Sequence, residues 1–555
     1  MSQFLDLPRD SRAYLLVPSM PTPNGRLHLG HIAGPFLKLD VIARHLRSQG
    51  ARARVLSGVD SYESHVLLHE GRPAAEVAAH YTQGIIEDLR ALELEQDGFI
   101  DPLVSPGKEL HDQANLWVLH RLIEVGAAVY RKQKYPYSPV RRGYIPRSYI
   151  VGRCPGCTTK TAGSVCEACS HQHLSGELLE PRLRDGDSNI EWREVECLVM
   201  RVQDKESFLR KLDQLALPER SRAIVYEHIT RFGGEMELTV PGDWGIPWRH
   251  APDNSEQVIF SYGVTYPWSL AEGELFRRQT GGERNALEVD SDIVTVIAYG
   301  VDVTVCFVFG TAGFAWEDGK HKPFDYYLGN EFLNLHGEKF STSRRHVISG
   351  TMLTERTPAT SDAIRYYLAT ISPDDEETDF NIDDFIRTVN DELIEGLQAT
   401  VERAFARLPA KRPERPPEAF VAAFRAAMVD MRARFELSSF RLHKVPPLVG
   451  NWMRIVKEVT EAAEEAGRAE IDAEAGRCEE TAYWYLKALC VIAYPLMPGF
   501  FAQLWTRLGA SGTPSLESFD VSTEPVPGPL QPIATPLSRA DLKSCLPVGL
   551  LETLA

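Results

Sequence analysis

Tyr14–Val17 is a short apolar run with β character, followed by the Pro- and Gly-rich loop PSMPTPNGRL. From His28 onward Ile32, Phe36, Leu39, Ala43 and Leu46 recur on one helical stripe, with Gly50 as the stop. Arg54-Val55-Leu56-Ser57-Gly58 begins the next strand. This βαβ opening predicts an α/β fold with a parallel sheet. From about 127 to 240 the periodicity is mixed and predicts an insertion. Strand character at Val258–Ser261 and at Ile293–Ala298 predicts the second half of the same sheet. From about Asp383 to Trp505 the pattern is helical, as in FIRTVNDELIEGLQATVERAFARL and AYWYLKALCVIAYPLMPGFFAQLW. Residues 511–538 hold six prolines and predict a linker or tail on the surface.

Length changes the picture only by permitting several units: 555 residues suit three or four domains. The expected division is 1–126 and 241–325 for the two halves of the domain that carries the sheet, with the insertion at 127–240 between them. After these come a connecting region at 326–384, a helical bundle at 385–510 and the tail at 511–555. No run of 18 apolar residues occurs, and MSQFLDLPRDSR lacks the apolar core of a signal peptide, so a cytoplasmic protein without membrane contact is expected. Acidic residues outnumber basic ones 77 to 60, a net charge of −17, which gives no general attraction to nucleic acid.

Three clusters carry chemistry. Pro23-Asn24-Gly25-Arg26-Leu27-His28-Leu29-Gly30-His31 places two histidines at a helix N-terminus directly after the first strand. Backbone N–H groups, the helix dipole and imidazole donors there favour a phosphate, and Gly25 and Gly30 let a nucleotide approach the backbone. Gly337-Glu338-Lys339-Phe340-Ser341-Thr342-Ser343-Arg344 is a hydroxyl- and Lys-rich loop suited to clamping phosphates. Cys154, Cys157, Cys166 and Cys169 form two C-x-x-C pairs eight residues apart, which suits a closed, tetrahedral structural Zn²⁺. Such a site orders the insertion and takes no part in catalysis.

HLGH followed about 310 residues later by KFSTS resembles the two signatures, HIGH and KMSKS, of class I aminoacyl-tRNA synthetases. PTPNGRLHLGH, SGVD at 57–60, the cysteine cluster, DWGIPW at 243–248, AIRYYLA at 363–369 and DFNIDDFIRTVNDEL at 379–393 narrow the resemblance to the methionyl type. It implies a Rossmann catalytic domain split by a zinc-bearing insertion, then a stem-contact fold and a helical bundle. The implied reaction joins an amino acid to ATP, with Mg²⁺, giving aminoacyl-AMP and pyrophosphate. It further implies that His28, His31 and Lys339 hold the phosphates and that Asp60 pairs with the substrate ammonium. Asn24, Gly25, Gly30, Gly300, Asp302, Ser341 and Ser343 complete the implied ATP site, Asp302 at the ribose.

The chain departs from that family at the contacts that define methionine. Met20 and Thr22 replace a Leu and a Tyr. The family's WLDAP becomes Gly263-Val264-Thr265-Tyr266-Pro267, with Leu270 at a following Tyr, and a Phe-His pair becomes Cys306-Phe307. Tyr266, Trp268 and Phe307 are placed to fill the space of the lost Trp and to favour a smaller amino acid. Thr342 stands where the second KMSKS lysine acts, with Arg344 or Arg345 to compensate, and the anticodon-reading Asn and Pro-Trp have no counterpart at Ala399 or in EVTEAAEEAGRAEIDAE. Three readings follow. The first is a paralogue that passes an activated non-methionine amino acid to a small amine or hydroxylamine, as in hydrazine-forming enzymes, whose cupin partner would here be a separate protein. The second is a genuine methionine–tRNA ligase with altered recognition, and the third an inactive binding protein.

Overall fold

The computed structural model describes residues 10–69, 71–184, 190–263, 265–341, 345–469 and 472–553. The chain opens with β1 (Ala13–Pro18), α1 (Leu37–Ser48), β2 (Arg52–Gly58) and β3 (Gly98–Ile100). The insertion is built on β4 (Ala128–Ser138) and β5 (Glu191–Arg201), paired antiparallel from Ala128↔Met200 to Tyr137↔Glu191. After it α2 (Thr265–Thr280), β6 (Val294–Gly300) and β7 (Tyr326–Asn330) return to the first sheet. Its order is β7–β6–β1–β2–β3, every pair parallel. Connections run one way from β1 and the other way from β6, so the carboxyl ends of these two neighbours form a topological switch point, the usual crevice for a ligand.

Period-two alternation explains how β1 serves two cores. Tyr14 and Leu16 join one apolar cluster with α1, while Ala13, Leu15 and Val17 join the other with α2 and β5. The first cluster continues without a break into the bundle of α3 (Glu418–Arg434), α4 (Pro446–Arg468), α5 (Asp472–Ala493) and α6 (Pro498–Arg507). At that junction Asp40 of α1 is fully buried and accepts from Arg44 Nε at 2.9 Å and from Arg365 Nη2 at 2.6 Å. Arg365, the arginine of AIRYYLA, also donates to the carbonyls of Leu92, Pro495 and Leu496, tying sheet to bundle. Removing one member of a buried network strands the others without water. Asp40→Ala is therefore expected to lower unfolding stability by about 3–5 kcal/mol, read by denaturant titration.

Three expectations are corrected. The helix after His28 is interrupted: Leu29–His31 passes into a wider turn over Ile32–Phe36, with Gly34 at φ −79°, ψ −108°. Pro35 supplies no N–H there, and the helix resumes at Leu37. The strand near Val258 is Gln257–Ile259 and pairs antiparallel with Thr239–Pro241 and Pro247–Trp248, outside the parallel sheet. The eight residues 249–256 between Pro247–Trp248 and Gln257–Ile259 are too few for a parallel crossover. The Pro-rich segment is no free tail. Phe519 is buried among Phe420, Phe424, Trp484 and Trp505, and Ile533, Ala534, Leu537, Leu542 and Cys545 are buried as the chain returns toward the sheet. Prolines keep this strap extended while its apolar side chains cover the bundle. Among the described residues no helix is long and apolar enough to cross a membrane.

Candidate active site

A cavity of about 300 Å³ opens at the carboxyl ends of β1 and β6. Met20, Thr22, His28, Gly30, His31, Asp60, Gly300, Asp302, Cys306, Phe307 and Lys339 line it. Two signatures distant in sequence thus meet in one crevice. The Phe340 ring stacks on His28 with centroids 4.9 Å apart, and Leu29 N donates to Ile348 O at 3.0 Å. Buried Asp88 anchors the loop before His28, accepting from Leu27 N at 3.0 Å and from Arg26 Nε at 2.8 Å. Gly30 suits this close approach, since a Cβ there would lie 3.0 Å from the His28 ring and push it aside.

The rings of His28 and His31 stack 3.7 Å apart. Burial holds His31 down to about 4, and burial together with His31 holds His28 well below its ordinary value. Both are neutral at pH 7. His28 N donates to His31 Nδ1 at 3.4 Å, which leaves the His31 proton on Nε2 as a donor. Asp60 is half-buried, lines the cavity beside Ser261, and is pushed up to about 7 by desolvation and then by Glu63. Asp302 is pushed up to about 6 by burial and then by Glu167. Such raised carboxyls in a crevice are poised to recover their charge against a cationic or donor-rich ligand.

The remaining expected residues lie elsewhere. Asn24 and Gly25 precede the crevice, the Asn24 carbonyl accepting from His69 Nε2 at 2.9 Å. Ser341 bridges His346 through reciprocal backbone bonds of 3.0 Å, while Thr342 and Ser343, like Val264, lie outside the described residues. Tyr266 does not fill the cavity: its ring stacks on Phe314 at 5.7 Å and its hydroxyl lies 3.5 Å from Asp318. Pro267 and Leu270 are buried off the lining, Leu270 in the core under α2. Gly263 is also off the lining, and a Cβ there would meet the Glu237 carbonyl oxygen at 1.9 Å. Trp268 lines the cavity in its stead, with Ser261, Tyr262 and Thr265.

In the insertion the four cysteine Sγ atoms lie within 4.8 Å of one another. Cys154–Cys169 and Cys157–Cys166 separate by 3.7 and 3.6 Å, close to the roughly 3.8 Å edge of a tetrahedron with zinc–sulfur bonds of about 2.3 Å. Gly156 N donates to Cys154 Sγ at 3.3 Å, as suits a thiolate. The donor set therefore fits zinc. Gln172, just beyond the cluster, accepts from Cys306 Sγ at 3.0 Å, and Glu167, between its last two cysteines, lines the cavity.

A family model described as tRNA synthetases class I (M) matches residues 14–405. The chain belongs to this family. Class I synthetases are ATP-dependent ligases that form aminoacyl-adenylates. Methionine–tRNA ligase of Methanopyrus kandleri is 26% identical over 554 residues, covering 96% of this chain and 82% of that protein. That of Thermococcus kodakarensis is 28% identical over 417 residues, covering 70% of this chain and 55% of that protein, so this chain spans about half its length. The fold is shared with Mycobacterium tuberculosis methionyl-tRNA synthetase, solved with methionyl-adenylate, at a TM-score of 0.73 and 18% identity over 94% of this chain and 99% of that one.

Within this class I frame, several lining residues escaped sequence reasoning. Ser261, Tyr262, Asn330, Glu331 and Glu167 carry no motif of their own. They reach the crevice because distant segments converge there, and only the placement of Glu167 beside two cysteine ligands marked it in the sequence.

Proposed function

We propose that the protein activates an amino acid other than methionine as its adenylate and passes the acyl group to a small non-tRNA acceptor. The observation that carries this is the amino-acid wall: the Glu237 carbonyl occupies the space that any side chain at residue 263 would need, and Trp268 fills the cavity from another turn. A pocket so rebuilt has no family Trp floor to receive a thioether.

In this reading Asp60 holds the α-ammonium and Asp302 the ribose. Neutral His28 and His31 donate to the phosphates, with Gly30 admitting them, and Lys339 neutralises charge that develops on them. Asn24 and Gly25, on the loop that leads into the crevice, and Ser341, two residues after Lys339, would border the nucleotide from outside the lining. Mg²⁺ arriving with ATP supplies further screening of phosphate charge. The protein then acts by positioning and by fixed donors aimed at the α-phosphate. Cys154, Cys157, Cys166 and Cys169 would hold structural zinc. About one zinc per chain is expected by metal analysis, and its removal by chelator should loosen the insertion in circular dichroism.

A second reading, methionine–tRNA ligase with altered recognition, is favoured by the near full-length match to such ligases. One experiment separates them. An amino-acid-dependent ATP–pyrophosphate exchange screen is run beside charging of total tRNA with labelled methionine. The proposal expects strongest exchange with another amino acid and no methionylated tRNA. Efficient, anticodon-dependent methionylation would restore the second reading.

A further inference from the structure

One wall of the active-site cavity is carried by a wide helical turn, Val305–Phe309, which follows β6. Cys306 and Phe307 both lie on the lining there. Phe307 is located by its ring, nearly parallel to that of Tyr299 with centroids 6.2 Å apart. Cys306 is held at two points. Its carbonyl accepts from Thr265 Oγ1 at 2.5 Å, which ties the turn to α2. Its thiol donates to Gln172 Oε1 at 3.0 Å, which ties the turn to the insertion.

The second bond is made away from water, with Gln172 6% and Cys306 1% exposed. Gln172 is not on the lining, so it acts on the cavity only through the thiol. Its own place is set by a tight hairpin. Cys166 N donates to His171 O at 2.9 Å, His173 N to Ser164 O at 3.1 Å, and Ser170 N to Cys166 O at 2.7 Å across the turn. Cys166 and Cys169 belong to the four-cysteine cluster, so the turn that suits the metal also holds the backbone that presents Gln172. A thiol carries one proton and turns about a single bond. Buried, it loses free energy on leaving its acceptor, and in another rotamer it would change the shape of the wall.

We propose that Gln172 is a positioning residue for amino-acid recognition. By fixing the Cys306 thiol it keeps the wall in its binding shape, and the cysteine hairpin thereby sets affinity for the amino acid and not for ATP. The inference needs only the adenylate-forming reaction of the family, and it holds whichever amino acid is activated.

Gln172→Leu keeps most of the bulk and removes the acceptor. Cys306→Ala removes the donor, while Cys306→Ser keeps one. The leucine change is made alone and in both cysteine backgrounds, and pyrophosphate exchange is measured with ATP and the amino acid that gives the wild type its strongest exchange. Gln172→Leu should raise KM for that amino acid about three- to tenfold and leave KM for ATP, kcat and the zinc content unchanged. It should have no effect in the Cys306→Ala background and keep its effect in the Cys306→Ser one. A second readout is independent of activity. The Cys306 S–H stretching band, isolated by subtracting the infrared spectrum of Cys306→Ala, should move to higher wavenumber in Gln172→Leu as the hydrogen bond is lost. An unmoved band, or an equal effect in the alanine background, would overturn the assignment. Loss of zinc or of ATP affinity together with that of the amino acid would overturn it as well, by making Gln172 a structural residue only. So would a wild-type protein that exchanges pyrophosphate with no amino acid.

Discussion

His28→Ala lowers adenylate formation by about 10²–10³-fold, and His31→Ala does the same, while both variants keep the wild-type circular dichroism and melting profile. The size follows from the state of the rings. Both imidazoles are neutral and held in mutual stacking at the start of a helix, so each offers a fixed donor whose reorganisation was completed on folding. A donor aimed at developing charge in a water-poor cleft is worth about 2.7–4 kcal/mol. Because His31 is held to about 4, its protonation leaves no inflection in the activity profile between pH 5 and 8. Pre-steady-state measurement of adenylate checks both points. Wild-type rates in the two alanine variants would remove the histidines from the chemistry and leave a binding protein.

The second large effect belongs to Asp60. Its carboxyl, raised to about 7, must be ionised to pair with an ammonium group. Below about pH 7 the proton competes with the substrate, so kcat/KM for the amino acid falls about tenfold for each further unit of pH. Above that point Asp60 is charged and its contribution is flat. Asp60→Asn keeps the shape but removes the charge, and should lower kcat/KM by about 30- to 10³-fold, the effect of a lost charge partner worth about 2–4 kcal/mol. It should also abolish this acid limb. A pH series of pyrophosphate exchange on both proteins reads the effect, and an unchanged acid limb in the variant would assign the titration to another group, Asp302 first.

What could be read in advance was whatever a short stretch of chain determines by itself. β1, α1 and β6 follow from local periodicity, and HLGH, Asp60, Asp302 and the cysteine spacing each lie in a motif a few residues long. Illegible were the features made by contact between distant segments. Nothing local to Tyr266 says that it faces Phe314 rather than the cavity, and nothing at Gly263 announces the carbonyl of Glu237. The strap misled for a related reason. Six prolines in 28 residues describe a backbone that cannot join a sheet, but they say nothing of where Phe519 finds its aromatic neighbours.

The seam between sheet and bundle has a bearing on the protein's history. Asp40, Arg44 and Arg365 share one buried charge network, and the apolar cluster beneath α1 runs on into the helices without a gap. A lineage that stopped reading anticodons could mutate the outer faces of those helices at little energetic consequence. It could not discard the helices themselves, because deletion would bare one whole side of the catalytic half and leave Asp40 and its arginines in water-free surroundings with missing partners. Folding by itself is thus a sufficient reason for the bundle to be kept. The presence of the bundle therefore speaks neither for nor against RNA as a partner.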